Sequence, residues 1–347
     1  MKNFAMPVKI KSKERNRIKE NDIETILKMK SVHDITNYLK HNTNCSKFLG
    51  NVNTESIRRG QFEVLLKRSL FCECQNIKKF ENGPIKKYLK VFIIKDEIES
   101  LKLHFRFVCG TENETTIKNY DVERYGYDNL NFLFNEKQNK RKISFKEFVE
   151  SLSETIYYKI LFPLIDNIST QNVFHVETAL DMYYNKLLFS TIKKIFLKYK
   201  CENLKKIFGI KIDMSNIIFI LRAKFNYNQH SDKIYPFIMP HYYKIKPSTV
   251  NLIVESNSFN EACTVLSKTI YKNFFSTDIN LIERNFRIFN TKMLRNVFRK
   301  YSYTKFAPII YLEIKTSEIN DIVTIIEGVR YGMNSEEIKK HTSFNKV

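Results

Sequence analysis

The sequence predicts an all-α protein built from three similar helical units. A short segment recurs at residues 31–39, 144–152 and 258–266, and the last two copies both continue into a Thr-Ile-Tyr triplet. The copies lie about 105–116 residues apart, much longer than a solenoid repeat of roughly 20–50 residues and close to the length of a small domain. With 8 Gly and 7 Pro in 347 residues, the chain is also poor in the turn residues of β-sandwiches and barrels. Three such units favour a body with approximate three-fold symmetry.

Each copy begins with short helices. Apolar residues between positions 22 and 49 recur at the three- and four-residue spacing of one helix face. All three copies then have a serine followed three residues later by an acid: Ser31 and Asp34, Ser144 and Glu147, Ser258 and Glu261. This spacing is typical of a helix N-cap, in which the serine side chain accepts a backbone N–H of the first turn. The shared serine therefore predicts a helix start and not a functional site.

Each copy ends with two longer helices. The first of each pair is predicted at residues 57–71, 176–198 and 281–300. The second is predicted near residues 98–108, 215–225 and 318–330. Two apolar runs, 91–94 and 309–312, would suit buried strands by propensity alone. Because their counterparts lie in helical surroundings, we interpret both as helical.

The copy boundaries are marked by turn and loop residues. Pro240, Pro247 and the polar loop 136–141 lie near the predicted junctions. The predicted domains are residues 1–115, 116–232 and 233–347.

An acidic residue followed nine positions later by a second charge recurs in the second long helix of each copy. These pairs are Glu97 and Arg106, Asp213 and Arg222, and Glu318 and Glu327. Nine residues correspond to two and a half helical turns, so the two side chains do not face each other on one helix. Repetition with one base exchanged for an acid favours structural ion pairs over an acid–base catalytic pair.

The net charge of +21 indicates an acidic partner or, equally simply, solvated lysine-rich helix faces. The basic residues concentrate in segments 2–19 and 186–211. At helical spacing, one outer face would carry Lys186, Lys193, Lys194 and Lys198. Such a face is suited to lipid head groups or to another protein.

Several classes of function lack their sequence patterns. The chain has no glycine-rich phosphate loop and no hydrolase or metalloprotease motif. Cys72 and Cys74 are separated by one residue, whereas zinc and thioredoxin-type pairs need two. Apolar runs such as 217–221 are far shorter than the roughly 20 residues that span a bilayer, and the basic N-terminus has no apolar segment after it. We therefore expect a soluble or peripheral protein that is not an enzyme and holds no metal or cofactor.

Three stretches resemble one known family. Residues 175–184 are similar to a V-E-x-A-L-D-x-x-Y-F stretch, residues 208–224 to V-G-x-E-I-D-x-x-N-I followed by L-R-A-K, and residues 318–333 to a closing E-x-x-N-L-R-x-I-x-x-G-K segment. All three belong to the C subunit of the archaeal and bacterial V-type rotary ATPase, whose eukaryotic equivalent is designated d. The chain departs from the last pattern at Val323, Glu327 and Val329.

The resemblance implies an all-helical funnel of three similar domains with pseudo-three-fold symmetry. Such a protein is a non-catalytic central-stalk subunit of a V-type ATPase or ATP synthase, peripheral on the cytoplasmic side of the membrane. It accepts the foot of the central shaft, made of the D and F subunits, and couples it to the membrane proteolipid ring during proton or sodium transport. The resemblance implies no cofactor, no small-molecule substrate and no nucleic acid.

Two residues are candidates for contact with the shaft. Arg106 and Arg222 occupy equivalent places in copies one and two and would line the socket. Intramolecular ion pairing or helix packing would explain both residues equally well. The alternative function is that of a basic helical nucleic-acid-binding protein, which the net charge favours but no recognition motif accompanies.

Overall fold

The computed structural model describes residues 5–15, 17–43, 45, 49, 59–108, 143–165, 173–276 and 278–344, and these residues contain helices and no strand. The all-α prediction is confirmed for this part of the chain. Its α-helices are α1 Ala5–Arg15, α2 Glu20–Ile26, α3 Val32–Asn42, α4 Arg59–Lys78, α5 Gly83–Val108, α6 Phe145–Ser151, α7 Ile156–Leu161, α8 Val173–Tyr199, α9 Glu202–Leu221, α10 Ser231–Ile234, α11 Pro247–Glu255, α12 Phe259–Ser267, α13 Ile279–Tyr301, α14 Ala307–Arg330 and α15 Ser335–Lys340. A single π-helical turn, Arg222–Asn226, follows α9.

The predicted helix starts at the three repeated serines are confirmed. The hydroxyl oxygens of Ser31, Ser144 and Ser258 each accept the backbone N–H three residues later, at 3.0, 3.2 and 3.2 Å. In the second copy, the carboxylate of Glu147 also accepts the N–H of Ser144 at 2.8 Å, which completes a capping box. The repeated serines are therefore explained by local helix chemistry.

The six long helices form three hairpins, α4–α5, α8–α9 and α13–α14, and each hairpin has a short connection. The three connections meet at one end of the molecule, here called the hairpin-turn end. There Asn203 donates a 2.7 Å hydrogen bond to the hydroxyl of Tyr301, and the ring of Tyr199 lies 5.6 Å from that of Phe306. Gly83 begins α5 next to the ammonium of Lys198.

The three hairpins contact one another in a closed cycle. The second helix of each hairpin packs against the first helix of the next: α5 against α8, α9 against α13, and α14 against α4. The cycle therefore runs α4, α5, α8, α9, α13, α14 and back to α4. Each copy along the chain contacts both of the others.

The short helices of each copy pack against the second long helix of the preceding copy. In the second copy, the rings of Phe145 and Phe148 lie 5.6 and 5.5 Å from that of Phe105 on α5. In the third copy α11 packs against α9, and in the first copy α3 packs against α14. The buried apolar clusters consequently contain side chains from neighbouring copies. The domain boundaries at residues 115/116 and 232/233 stay a prediction.

Two glycines allow close approach between elements. A Cβ at Gly209 on α9 would overlap the ring of Tyr243, and a Cβ at Gly328 on α14 would lie 2.5 Å from Cγ1 of Ile338 on α15. Both glycines belong to the stretches that carry the family resemblance. Their presence there is explained by packing distance, since any side chain would displace its neighbour.

The apolar runs 91–94 and 309–312 lie inside α5 and α14, so their interpretation as helical is confirmed. The second long helices begin earlier than the sequence predicts, since α5, α9 and α14 start at Gly83, Glu202 and Ala307. In α14 the cause is burial on nearly all sides, since residues 307–314 are all buried. A helix buried all round shows no amphipathic periodicity. None of the described helices is both long and apolar enough to cross a membrane.

Candidate functional site

The cycle of long helices encloses a cavity of about 730 Å³. Its wall contains side chains of α5, α8, α9, α13 and α14, including Lys95, Glu177, Asp181, Asn185, Ser215, Arg222, Glu283, Arg284, Arg287 and Asn320. A second cavity, of about 330 Å³, shares Lys95 and Asn320 with the first and adds Lys67 and Phe71 of α4 to the wall. The two cavities, here called the lumen, are thus lined by all six long helices.

The lumen is balanced in charge although the chain is strongly basic. Five acidic side chains line the two cavities: Asp96, Glu99, Glu177, Asp181 and Glu283. Five lysines and arginines face them: Lys67, Lys95, Arg222, Arg284 and Arg287. The net charge of +21 is therefore carried outside this space. A wall that contains charges of both signs and aromatic side chains suits a protein segment of mixed charge better than a polyanion.

The two candidate arginines each bridge neighbouring hairpins. Arg106 Nε on α5 lies 2.5 Å from Oε1 of Glu177 on α8, and Arg222 Nε after α9 lies 2.6 Å from Oε1 of Glu283 on α13. The arginine side chains are 38% and 44% exposed, so both pairs are screened by solvent. Arg222 lines the larger cavity, whereas Arg106 borders it through Glu177.

The carboxylate of Glu283 interacts with two guanidinium groups, those of Arg222 and Arg287. Burial raises its pKa, and the guanidinium groups of Arg222 and Arg287 offset that rise only in part. The two guanidinium groups therefore favour the charged form of this carboxylate. Because Arg222 directly follows α9 and Arg287 lies on α13, the cluster ties these two helices together.

The repeated acids do not pair with the arginines of their own copies. Glu97, Asp213 and Glu318 are all buried. Each contacts a residue that precedes the long helices of the next copy. Glu97 accepts a hydrogen bond from the hydroxyl of Tyr157, and Asp213 accepts one from the hydroxyl of Tyr271. Burial, followed by contact with the acid, raises the pKa of both tyrosines.

Glu318 of the third copy makes the corresponding contact with the first copy. Its Oε1 accepts the backbone N–H of Ile18 at 2.5 Å. The three contacts therefore link copy one to two, two to three and three to one, in the same order as the long helices. We call them the acid anchors. The two tyrosines end the repeated Thr-Ile-Tyr triplets, and the recurrence of this triplet together with a repeated acid is the sequence signal that could identify them.

A second repeated contact lies three residues after the acid in copies two and three. Asn216 donates to the carbonyl of Met239 and accepts its N–H, both at 3.0 Å. Asp321 accepts the N–H of Ser343 at 2.9 Å and also its hydroxyl. Both side chains therefore fasten the segment that follows their helix.

A buried polar triad joins the three second helices near the hairpin-turn end. Glu313 on α14 accepts hydrogen bonds from Lys211 on α9 at 2.9 Å and from the hydroxyl of Tyr88 on α5 at 2.7 Å. Burial would raise the pKa of Glu313, but the ammonium of Lys211 and the two hydrogen bonds lower it overall. Along each helix the triad lies between the hairpin turn and the residues that line the lumen.

Comparison with known proteins assigns the chain to a family. The family model described as ATP synthase (C/AC39) subunit matches residues 7–341. The chain belongs to the ATP synthase (C/AC39) subunit family. The motif stretches at residues 175–184, 208–224 and 318–333 all lie inside the matched range.

Similar proteins include the C subunits of the A-type ATP synthases of three archaea. The C/AC39 chain is 24% identical to the Methanosarcina acetivorans protein over 57% of this chain and 54% of that protein. It is 26% identical to the Methanocaldococcus jannaschii protein over 73% and 64% of the two chains. For Methanothermobacter thermautotrophicus the identity is 22% over 94% and 84%. The match thus spans about half the length of the first of these relatives and most of the length of the last.

Proposed function

We propose that this C/AC39 chain is the non-catalytic central-stalk subunit of an A/V-type ATP synthase or ATPase. In this role it is a socket that receives the foot of the shaft formed by the D and F subunits and couples it to the membrane proteolipid ring during proton or sodium transport. The observation that carries the proposal is the charge-balanced lumen inside the closed cycle of six helices. The chain would lie peripherally on the cytoplasmic side of the membrane as part of the complex.

The size of the lumen supports a helical segment as its occupant. An α-helix about 10 Å across takes up roughly 420 Å³ per turn of 5.4 Å. The larger cavity, of about 730 Å³, therefore has room for between one and two turns at the end of one helix. Such an end-on fit agrees with a shaft that is seated in the subunit and not wrapped by it.

The contacts that charged residues make between neighbouring copies support a mechanical role. The buried acids and the half-exposed ion pairs form contacts between neighbouring copies. Because each copy is fastened to both others, a lateral force on one hairpin is distributed around the whole cycle. A subunit that passes torque needs this kind of stiffness.

Lumen variants test the proposal directly. Ser215→Trp narrows the larger cavity, and Arg222→Glu reverses one wall charge. Both are expected to weaken association with the D–F shaft by at least tenfold, read by native mass spectrometry or pull-down with the shaft and ring of the same source. The matched control is Lys146→Glu on the outer helix α6, where the side chain is 68% exposed.

The control is expected to leave shaft binding unchanged. The proposal fails if the wild-type chain associates with neither the shaft nor the ring. It also fails for the lumen if both lumen variants fold normally and bind the shaft as tightly as the control. Reconstitution of the rotor with and without the chain then tests coupling, scored as ion flow per shaft rotation.

A further inference from the structure

The hairpin-turn end is a strongly basic surface. Residues 75–87, 195–206 and 298–311 contain four, four and three lysines or arginines, against Glu81 and Glu202 alone. Exposed examples on or beside the three connections are Lys79, Lys198, Lys200, Lys205, Lys300 and Lys305. The topology thus gathers three separate basic segments onto one face.

The chain itself neutralises only part of the positive charge of this face. Among these six lysines, in the part of the chain that the structure describes, Lys205 alone has a carboxylate within ion-pair distance, that of Glu202 at 4.0 Å. Lys305 and Lys198 lie over the ring of Tyr199, at 5.7 and 5.6 Å, and Lys305 also interacts with the carboxylate of Glu81. The face therefore presents a positive potential to an external partner.

Each hairpin connection also presents one exposed apolar side chain. Phe80 is 59% exposed on the first connection, Leu197 is 64% exposed beside the second, and Tyr303 is 56% exposed on the third. These three apolar side chains lie at three different connections, and each has lysines nearby. Apolar side chains among lysines are the composition of surfaces that lie at the boundary of a bilayer.

We infer that the hairpin-turn end binds an anionic lipid surface, with the lysines at the head groups and Phe80, Leu197 and Tyr303 entering the interfacial layer. A bilayer fits better than a nucleic acid, because leucine offers no stacking platform and the contacts lie on three turns and not along one groove. Each lysine near an anionic bilayer strengthens binding about fivefold. The inference does not depend on the rotor role, since it concerns the isolated chain.

Vesicle co-sedimentation of the full chain tests the inference. Wild-type protein is expected to bind phosphatidylcholine vesicles that contain phosphatidylglycerol and to bind pure phosphatidylcholine at least tenfold more weakly. The charge variant combines Lys79→Gln, Lys198→Gln, Lys205→Gln and Lys300→Gln, and its affinity is expected to fall by about a hundredfold or more. The matched control removes the same charge elsewhere, with Lys146→Gln, Lys159→Gln, Lys233→Gln and Lys268→Gln.

The control is expected to lose less than fivefold. A second variant, Phe80→Ser with Leu197→Ser and Tyr303→Ser, keeps the charge and is expected to lose most of the binding that survives at high salt. Circular dichroism confirms that each variant is folded. Equal loss in the charge variant and its control would reduce the effect to net charge and overturn the inference. Tighter binding to single-stranded DNA, unaffected by the apolar variant, would overturn it in favour of a nucleic acid.

Discussion

Replacement of Asp213 by asparagine is the sharpest test of the acid anchors. Asp213 is fully buried on α9. Its Oδ1 accepts the backbone N–H of Tyr243 at 2.8 Å, and its Oδ2 accepts those of Lys244 and Ile245 at 2.7 and 3.0 Å. The hydroxyl of Tyr271 also donates to Oδ2. Four donors from the third copy therefore converge on one carboxylate of the second.

Asparagine has one acceptor oxygen where aspartate has two. If the amide nitrogen replaces Oδ1, the N–H of Tyr243 loses its acceptor, which costs about 1–3 kcal/mol. The three remaining bonds change from charge-assisted to neutral and lose roughly half their strength. Relief of the buried charge offsets part of this loss. We expect Asp213→Asn to lower the free energy of unfolding by about 3 kcal/mol.

The companion variant Tyr271→Phe removes a single donor and is expected to lower the free energy of unfolding by about 2 kcal/mol. In the protein that already carries Asp213→Asn, the same change removes a weaker bond, so the two effects should be non-additive by about 1 kcal/mol. Urea unfolding followed by circular dichroism measures all four proteins. Glu154→Gln at an exposed position is the control and is expected to change little.

Two results would refute this reasoning. If the free energy of unfolding of Asp213→Asn lay within about 1 kcal/mol of the wild-type value, the carboxylate would not be needed for the contacts. Additive effects of the two variants would show that the tyrosine hydroxyl and the carboxylate do not interact in solution. A changed slope of the urea transition would mean instead that cooperativity between the copies had been lost.

Three further expectations concern other parts of the fold. Arg222→Glu should lower the free energy of unfolding by about 1 kcal/mol or less, and Glu283→Arg in the same protein should restore it in urea titrations, since the pair is half-exposed. Burial lowers the pKa of His104 from 6.5 to about 4, so the fold favours the neutral imidazole. The contribution of His104 to the free energy of unfolding is complete above pH 6.5 and falls by about 3 kcal/mol as the pH drops to about 4. A His104→Leu variant with the same pH slope in thermal melts would contradict this. Gly328→Ala should lower stability by about 1–3 kcal/mol through overlap with Ile338, and in thermal melts it should cost less in a protein that already carries Ile338→Ala.

Features set by neighbouring residues could be predicted from the sequence. The caps at Ser31, Ser144 and Ser258 depend only on an acid three residues away and an apolar face, and all three predictions are confirmed. The helical interpretation of residues 309–312 depends on comparison between copies and is also confirmed. Comparison of the repeated copies identifies a short apolar run as helical, which hydrophobic periodicity alone does not.

Contacts between distant residues could not be predicted in the same way. Asp213 and Tyr271 are 58 positions apart, and their recurrence in two copies marks both residues without showing that they touch. The contact from Glu318 to the first copy uses the backbone N–H of Ile18, and a backbone donor leaves no mark in the sequence. The partners Glu177 and Glu283 of the candidate arginines lie on the neighbouring hairpins, and only the fold identifies them.

The acid anchors contribute mainly to stability, whereas the lumen ion pairs are available for recognition. The buried acids hold neighbouring copies together, so their loss lowers the free energy of unfolding. The pairs Arg106–Glu177 and Arg222–Glu283 are half-exposed and contribute about 1 kcal/mol or less each. A charged segment that enters the lumen can therefore take over Arg222 or Glu283 without weakening the wall around it. Variants of the two classes should separate accordingly: anchor variants change unfolding first, and lumen variants change shaft binding in a protein that is still folded.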